Sequence, residues 1–197
     1  MRTRFSPIRR WLTALAATCL FMLTPRTACP ARVQPVAYSE YQLKAAFLFN
    51  FTQFIEWPTN AFADANAPLV IGILGNNPFG AVLSQTVEGE TVHGRKVVIR
   101  LFKRIEDVHA CQLLFISRSE QARLPQVLAA LKGVPVVTVS DSDQFVRHGG
   151  MIGFVIHENK VRFEINSETA AKASLKVSSK LLNLAFSLYP ESEREGG

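Results

Sequence analysis

Four short apolar runs limit what this chain can become: PLVIGILG (68–75), VVIRLF (97–102), QLLFIS (112–117) and VPVVTVSD (134–141). Each is rich in Val, Ile, Leu and Phe, and most are closed by Gly, Ser or Asp. Runs of this kind suit strands buried on both faces, which occur in parallel sheets covered by helices. Helical patterns lie between and around them. YQLKAAFLFNFTQFIEWP (41–58) opens on Ser39 as N-cap, with Gln42 completing a capping box, and runs to about Trp57, where Pro58 stops it. NNPFGAVLSQTV (76–87) reads as a turn and a short helix, and EGETVHGRK (88–96) as a polar loop. SEQARLPQVLAALKG (119–133) is a helix capped by Ser119 and Gly133, with Pro125 in its first turns. After a polar loop over 142–150, MIGFVIHENKVRFEIN (151–166) alternates around Glu158-Asn159 as a hairpin, and 167–189 reads as one long final helix. The order predicts an α/β fold: a three-layer sandwich whose sheet is mostly parallel, with an antiparallel edge hairpin.

The first 31 residues do not fit that plan. MRTRFSPIRR carries four arginines and no acid, and WLTALAATCLFMLT (11–24) is an apolar run short for a membrane span. Small residues and proline follow, so residues 1–31 read as an export signal, cleaved near Ala28 or Ala31. Neither Cys19 nor Cys29 sits in a lipobox. Removing the segment leaves 17 basic against 16 acidic residues, a net +1, so no basic patch argues for nucleic acid. It also leaves Cys111 as the only cysteine, with no intramolecular disulfide available. One domain is expected over 38–190, with 191–197 as a polar tail.

At 100° per residue, Tyr41, Leu43, Phe47, Leu48, Phe51, Phe54 and Ile55 share one arc of the first helix, and Gln42, Asn50, Thr52, Gln53 and Glu56 the other. Phe49 breaks the pattern by lying among the polar set. A ring there is either a contact surface or is covered by a neighbouring loop. Phe49, with Gln53 and Trp57 beside it, is therefore a candidate partner contact.

Catalytic signals are sparse. His93, His109, His148 and His157 show no HxxxH or HExxH spacing, and Cys111 has no CxxC partner, so no metal site or cofactor is expected. No GxSxG elbow occurs. The Gly72–Gly80 loop is neither a Walker loop nor GxGxxG. It could hold a phosphate on backbone N–H groups, or its glycines could serve the turn alone. Asn76, Asn77, Arg118, Asp141, Arg147 and His148 follow predicted strand ends and could rim one cleft for a small anionic ligand. Asp141, Asp143 and His148 could make an exported hydrolase, although no base–nucleophile spacing supports one. The residues thus offer no catalytic constellation.

Several blocks together resemble the YfiR family of exported bacterial proteins: AAFLFNFTQFIEWP, VIGILGNNPFG, CQLLFIS, VVTVSDSDQF…GGMIGFVI and RFEIN…A…AKASLKVSSKLLNLA. They occur in the family's order from about residue 41 to 186. The resemblance implies a periplasmic α/β protein that represses an inner-membrane diguanylate cyclase by contacting its periplasmic sensor domain. Release of the repressor then raises cyclic di-GMP and favours biofilm growth. It also implies sequestration by an outer-membrane lipoprotein, and a homodimer. The alternative is a periplasmic small-ligand sensor or carrier. In one respect the chain departs from better-known members, which use several cysteines in disulfides: only Cys111 matches such a position.

Overall fold

The structure, a computed structural model, describes residues 39–190. The expected signal (1–31) and polar tail (191–197) lie outside the described residues. The elements in chain order are α1 (Glu40–Phe54), β1 (Ile55–Glu56), β2 (Leu69–Leu74), α2 (Val82–Val87), β3 (Thr91–Val92), β4 (Arg95–Phe102), β5 (Leu113–Ile116), α3 (Leu124–Ala130), β6 (Val137–Ser140), β7 (Ile152–His157), β8 (Lys160–Asn166), α4 (Ser167–Lys172), β9 (Lys176–Val177), α5 (Ser179–Leu184) and β10 (Ser187–Tyr189). Short 3₁₀ turns cover Thr59–Ala61, Ile105–Ala110 and Arg118–Arg123.

The main sheet runs β10-β8-β7-β6-β5-β2-β4-β3. Its centre is parallel, from β4 through β2, β5 and β6 to β7. The β7–β8 hairpin is antiparallel, as is the β3–β4 pair at the far edge. The predicted α/β class and mostly parallel sheet are thus observed. Alternate strand residues feed two cores. Leu69, Ile71 and Ile73 of β2 face one containing α1, α2 and α4, while Val70 and Leu74 face another containing Val108, Cys111 and α3. On the first face, Phe47 and Phe51 of α1 meet Phe154 and Phe163 of the hairpin, with ring centroids 5.1–6.1 Å apart. Such aromatic pairs add about 0.5–1.5 kcal/mol each beyond the area they bury.

Local structure departs from the sequence pattern in several places. The predicted final helix over 167–189 is two short helices split by a strand, and its last residues, Ser187–Tyr189, form β10, paired parallel with β8. Ser174 adopts φ +60, Leu175 donates back to Ala170, and Ser178 caps a new helix by accepting from Leu181 N. Between the helices, β9 pairs antiparallel with β1, so α1 ends at Phe54 instead of Trp57. The predicted 88–96 loop contains a tight hairpin, turning at His93-Gly94 with φ of 50 and 78, and β4 starts at Arg95. The predicted 119–133 helix is a 3₁₀ turn capped by Ser117, followed by α3 with Pro125 in its first turn. Only Val82–Val87 of the 76–87 segment is helical. The capping box of α1 and the Glu158-Asn159 turn form as predicted.

Candidate functional site

Because β2, β5 and β6 are parallel, their carboxyl ends meet at one edge of the sheet. The capping box sets the first turn of α1 over that edge, and a polar cluster forms there. Lys44 Nζ lies 2.6 Å from Asp141 Oδ2 and 2.5 Å from Glu40 Oε1. The Tyr41 hydroxyl donates to the same Asp141 Oδ2 at 3.0 Å. Arg118, just past β5, donates from Nε and Nη2 to the Asp141 carbonyl at 3.0 and 2.8 Å. Lys44 and Asp141 are almost sealed from water. A charge so placed survives only when paired and hydrogen-bonded, and this pair is both. Burial, reinforced by the Asp141 carboxylate, pushes the Tyr41 phenol up to about 12, so it stays a neutral donor. Lys44 is held by two carboxylates and Asp141 by three donor groups, an arrangement suited to holding α1 against the sheet.

A pocket of about 340 Å³ opens beside the cluster, lined by Lys44, Arg118, Asp141, Asp143, Gln144, Phe154 and Glu164 among others. Arg118 and Asp141 come together there. Asn76 and Asn77 do not line it. Asn77 Oδ1 accepts from Phe79 N (2.9 Å), its Nδ2 donates to the Gly80 carbonyl, and Asn76 N donates to Ser119 Oγ. Gly75 needs its φ of +89 and sits against Ser119 and Glu120, so turn geometry accounts for this loop. Arg147 and His148 are exposed. His148 lines a second pocket, also about 340 Å³, with Lys132, Thr138, Met151 and Lys172. The single cleft expected from the sequence is therefore divided. β6 and β7 are parallel, so the 142–150 loop must return to the opposite edge, where Met151 N donates to Thr138 Oγ1. For the same reason His148 is not grouped with Asp141 and Asp143. The strand-end pattern does not single out Lys44, Tyr41 or Glu164 for the site. The one available signal was a lysine set among apolar residues in KAAFLF.

Phe49 is half-buried and packs on the core, so its ring is less exposed than the helical arc predicts. Gln53, one turn on, is exposed. Trp57 is half-buried and donates from Nε1 to the Gln112 carbonyl at 2.9 Å. Leu43 and Thr52 exchange their expected positions: Leu43 faces solvent, while Thr52 is buried and donates to the Phe49 carbonyl. Cys111 is a small core residue. Its thiol donates to the Val108 carbonyl, and burial pushes it up to about 12. Among the described residues no group of three or more His, Cys, Asp or Glu side chains could hold a metal, and no helix is long and apolar enough to cross a membrane.

Residues 41–186 match the YfiR/HmsC-like family. The chain belongs to that family. YfiR/HmsC-like proteins are periplasmic and regulatory rather than catalytic, and the family points to control of diguanylate cyclase. No protein of curated function matches the chain. Several solved structures resemble it, among them the following two. A conserved domain protein from Vibrio cholerae O1 biovar El Tor is 12% identical with a TM-score of 0.51, over 77% of this chain and 61% of that one. The ABC domain from Streptococcus pneumoniae, solved in complex with L-Trp, is 11% identical with a TM-score of 0.50, over 73% of this chain and 60% of that one. The YfiR/HmsC-like chain thus spans about three fifths of each, and the likeness at this identity concerns the fold alone.

Proposed function

We propose that residues 1–31 direct export and are removed, and that a single domain over 38–190 binds the periplasmic sensor domain of an inner-membrane diguanylate cyclase. Bound, it holds the cyclase in its low-activity state and lowers cyclic di-GMP. The observation that carries this reading is the match of residues 41–186 to a regulatory family. The cluster at the sheet edge supports it, because Lys44 and Asp141 are committed to each other and His148 lies elsewhere. That separation argues against a hydrolase built on Asp141, Asp143 and His148.

Repression follows from differential affinity. A partner that prefers one receptor conformation shifts the population towards it. Moving a receptor from 99:1 active to 1:99 takes about 5.5 kcal/mol of preference, which a few aromatic anchors can supply. We assign the docking surface to Phe49, Gln53 and Trp57. An outer-membrane lipoprotein that sequesters the protein, and a homodimer, belong to the same reading. Deleting the gene should raise cellular cyclic di-GMP, and the tagged protein should retain a membrane diguanylate cyclase in a pull-down. Unchanged cyclic di-GMP in the deletion strain would contradict the reading.

The pocket beside Arg118 and Asp141 favours a second, compatible reading, in which a small polar ligand tunes repression. Ligand-dependent thermal stabilisation of the purified protein, abolished by Arg118→Ala, tests it.

A further inference from the structure

β4 ends the parallel part of the sheet, and the strand beyond it is too short to cover it. β3 pairs only with Arg95 and Lys96. Val97 N donates to the Glu90 carbonyl on the side of β3, whereas the Phe102 carbonyl accepts from Gly75 N on the side of β2. Strand residues direct their N–H and C=O groups to alternate sides. Ile99 and Leu101 therefore present both groups away from β2, and among the described residues no strand lies there beyond Lys96. This stretch is accessible: Leu101 is 62% exposed, and Arg100 beside it is also exposed.

The edge is also strongly charged. Residues 95–104 include five basic side chains and no acid. Arg104 pairs with Glu106, and Arg95 donates to the carbonyls of Asp64 and Ala67. Lys96, Arg100 and Lys103 have no acidic partner among the described residues. Two copies of this chain meeting edge to edge would bring like charges together, and basic residues are a common device against such pairing. An acidic strand meets no such barrier. Along β4, Ile99 and Leu101 face one side of the sheet and Val98 and Arg100 the other.

We propose that the open edge of β4 takes up an extended segment of a partner protein in which acidic and apolar residues alternate. The segment adds a strand through the backbone groups of Ile99 and Leu101, sets its carboxylates against Arg100 and Lys96, and lays its apolar side chains beside Leu101. Strand addition draws affinity from main-chain hydrogen bonds and selectivity from alternate side chains. The surface is separate from the α1 contact assigned above and does not depend on it.

A labelled, end-capped peptide of alternating Glu and Val, titrated against the full chain by fluorescence anisotropy, tests the proposal. Saturable binding is expected, weakened about tenfold or more by Arg100→Glu, and weakened again on raising salt to about 0.5 M. Amide exchange should slow at Ile99 and Leu101. Leu101→Pro, which removes one outward donor without touching the β2 ladder, should reduce binding as well. Several results would overturn the proposal: no binding, equal binding of a peptide N-methylated at alternate residues, or protection confined to another strand. Protection of Ile99 and Leu101 that grows with protein concentration in the absence of peptide would also overturn it, by assigning the edge to a second copy.

Discussion

Lys44 Nζ and Asp141 Oδ2 lie 2.6 Å apart although 97 residues separate them, and the two side chains are only 1% and 3% exposed. The contact joins the first turns of α1 to the carboxyl end of β6, at the centre of the sheet.

Its energetics set the first prediction. Removing one member of a buried pair strands the other charge and typically costs about 3–5 kcal/mol, whereas replacing both with apolar residues of similar volume is often close to neutral. Lys44→Met should therefore lower unfolding stability by about that amount in urea. Lys44→Met with Asp141→Leu should recover much of the loss. A double variant whose loss equals the sum of the two single losses would mean that the two charges do not interact.

The second prediction concerns alkaline pH. Burial raises the Cys111 thiol from an ordinary 9.0 to about 12, and burial with the Asp141 carboxylate raises Tyr41 from 10.0 to about 12. Both groups are neutral acids whose folded value lies above the unfolded one. Their contribution is complete below the unfolded value and is lost as pH climbs towards the folded value, because the unfolded chain ionises first. Stability should fall from pH 9, by up to about 1.4 kcal/mol per pH unit for the thiol, and more steeply above pH 10 once Tyr41 contributes. Cys111→Ser should flatten the pH 9–10 limb. Tyr41→Phe should leave that limb alone and flatten the one above it. The same burial predicts that native Cys111 resists alkylation at pH 8 and forms no intermolecular disulfide.

The contrast between Leu43 and Lys44 marks the boundary of what the sequence makes legible. Continuous apolar runs announce buried parallel strands, and Ser39 with Gln42 announces the start of α1, because both signals are local. Lys44 is different. Its burial depends on Asp141, and only the sheet brings that residue near. Periodicity therefore ranks Leu43 as core and passes over the lysine that is buried. The split of the predicted final helix has a similar origin. Residues 167–189 keep helical spacing, and the pairings that interrupt them, β9 with β1 and β10 with β8, are made with strands outside that run. At the candidate site, strand ends place Arg118 beside Asp141. Arg147 and His148 follow the same strand as Asp141, but a loop in sequence does not reveal which edge of the sheet it returns to.

The hairpin turn supplies the third prediction. Glu158 and Asn159 adopt φ of 48 and 59, the left-handed region that a two-residue hairpin turn of this kind requires. Asn tolerates that region and Glu does so less well. Glu158→Asn should raise stability by about 0.5–1 kcal/mol, while Asn159→Val, which puts a β-branched residue there, should lower it by about 1–3 kcal/mol. Thermal melts of the two variants suffice. Destabilisation by Glu158→Asn would mean that Glu158 has a role beyond the turn.

Phe49 and Phe51 share one helix, two residues apart, and should separate docking from folding. Phe51 is fully buried, stacked on Phe154 and edge-on to Phe163. Phe51→Ala should remove about 3–5 kcal/mol of stability, with any loss of binding following the loss of folded protein. Phe49 is half-buried with Gln53 exposed beside it. As a docking anchor, Phe49→Ala should cost about 2 kcal/mol or more of affinity for the periplasmic domain of the cyclase, roughly a thirtyfold weaker Kd. Its melting temperature should fall far less than that of Phe51→Ala, and Gln53→Arg should weaken binding with no change in melting. Both readouts are needed, because a variant that binds weakly only in proportion to its unfolding says nothing about docking. Undiminished affinity in fully folded Phe49→Ala would move the interface away from this face of α1.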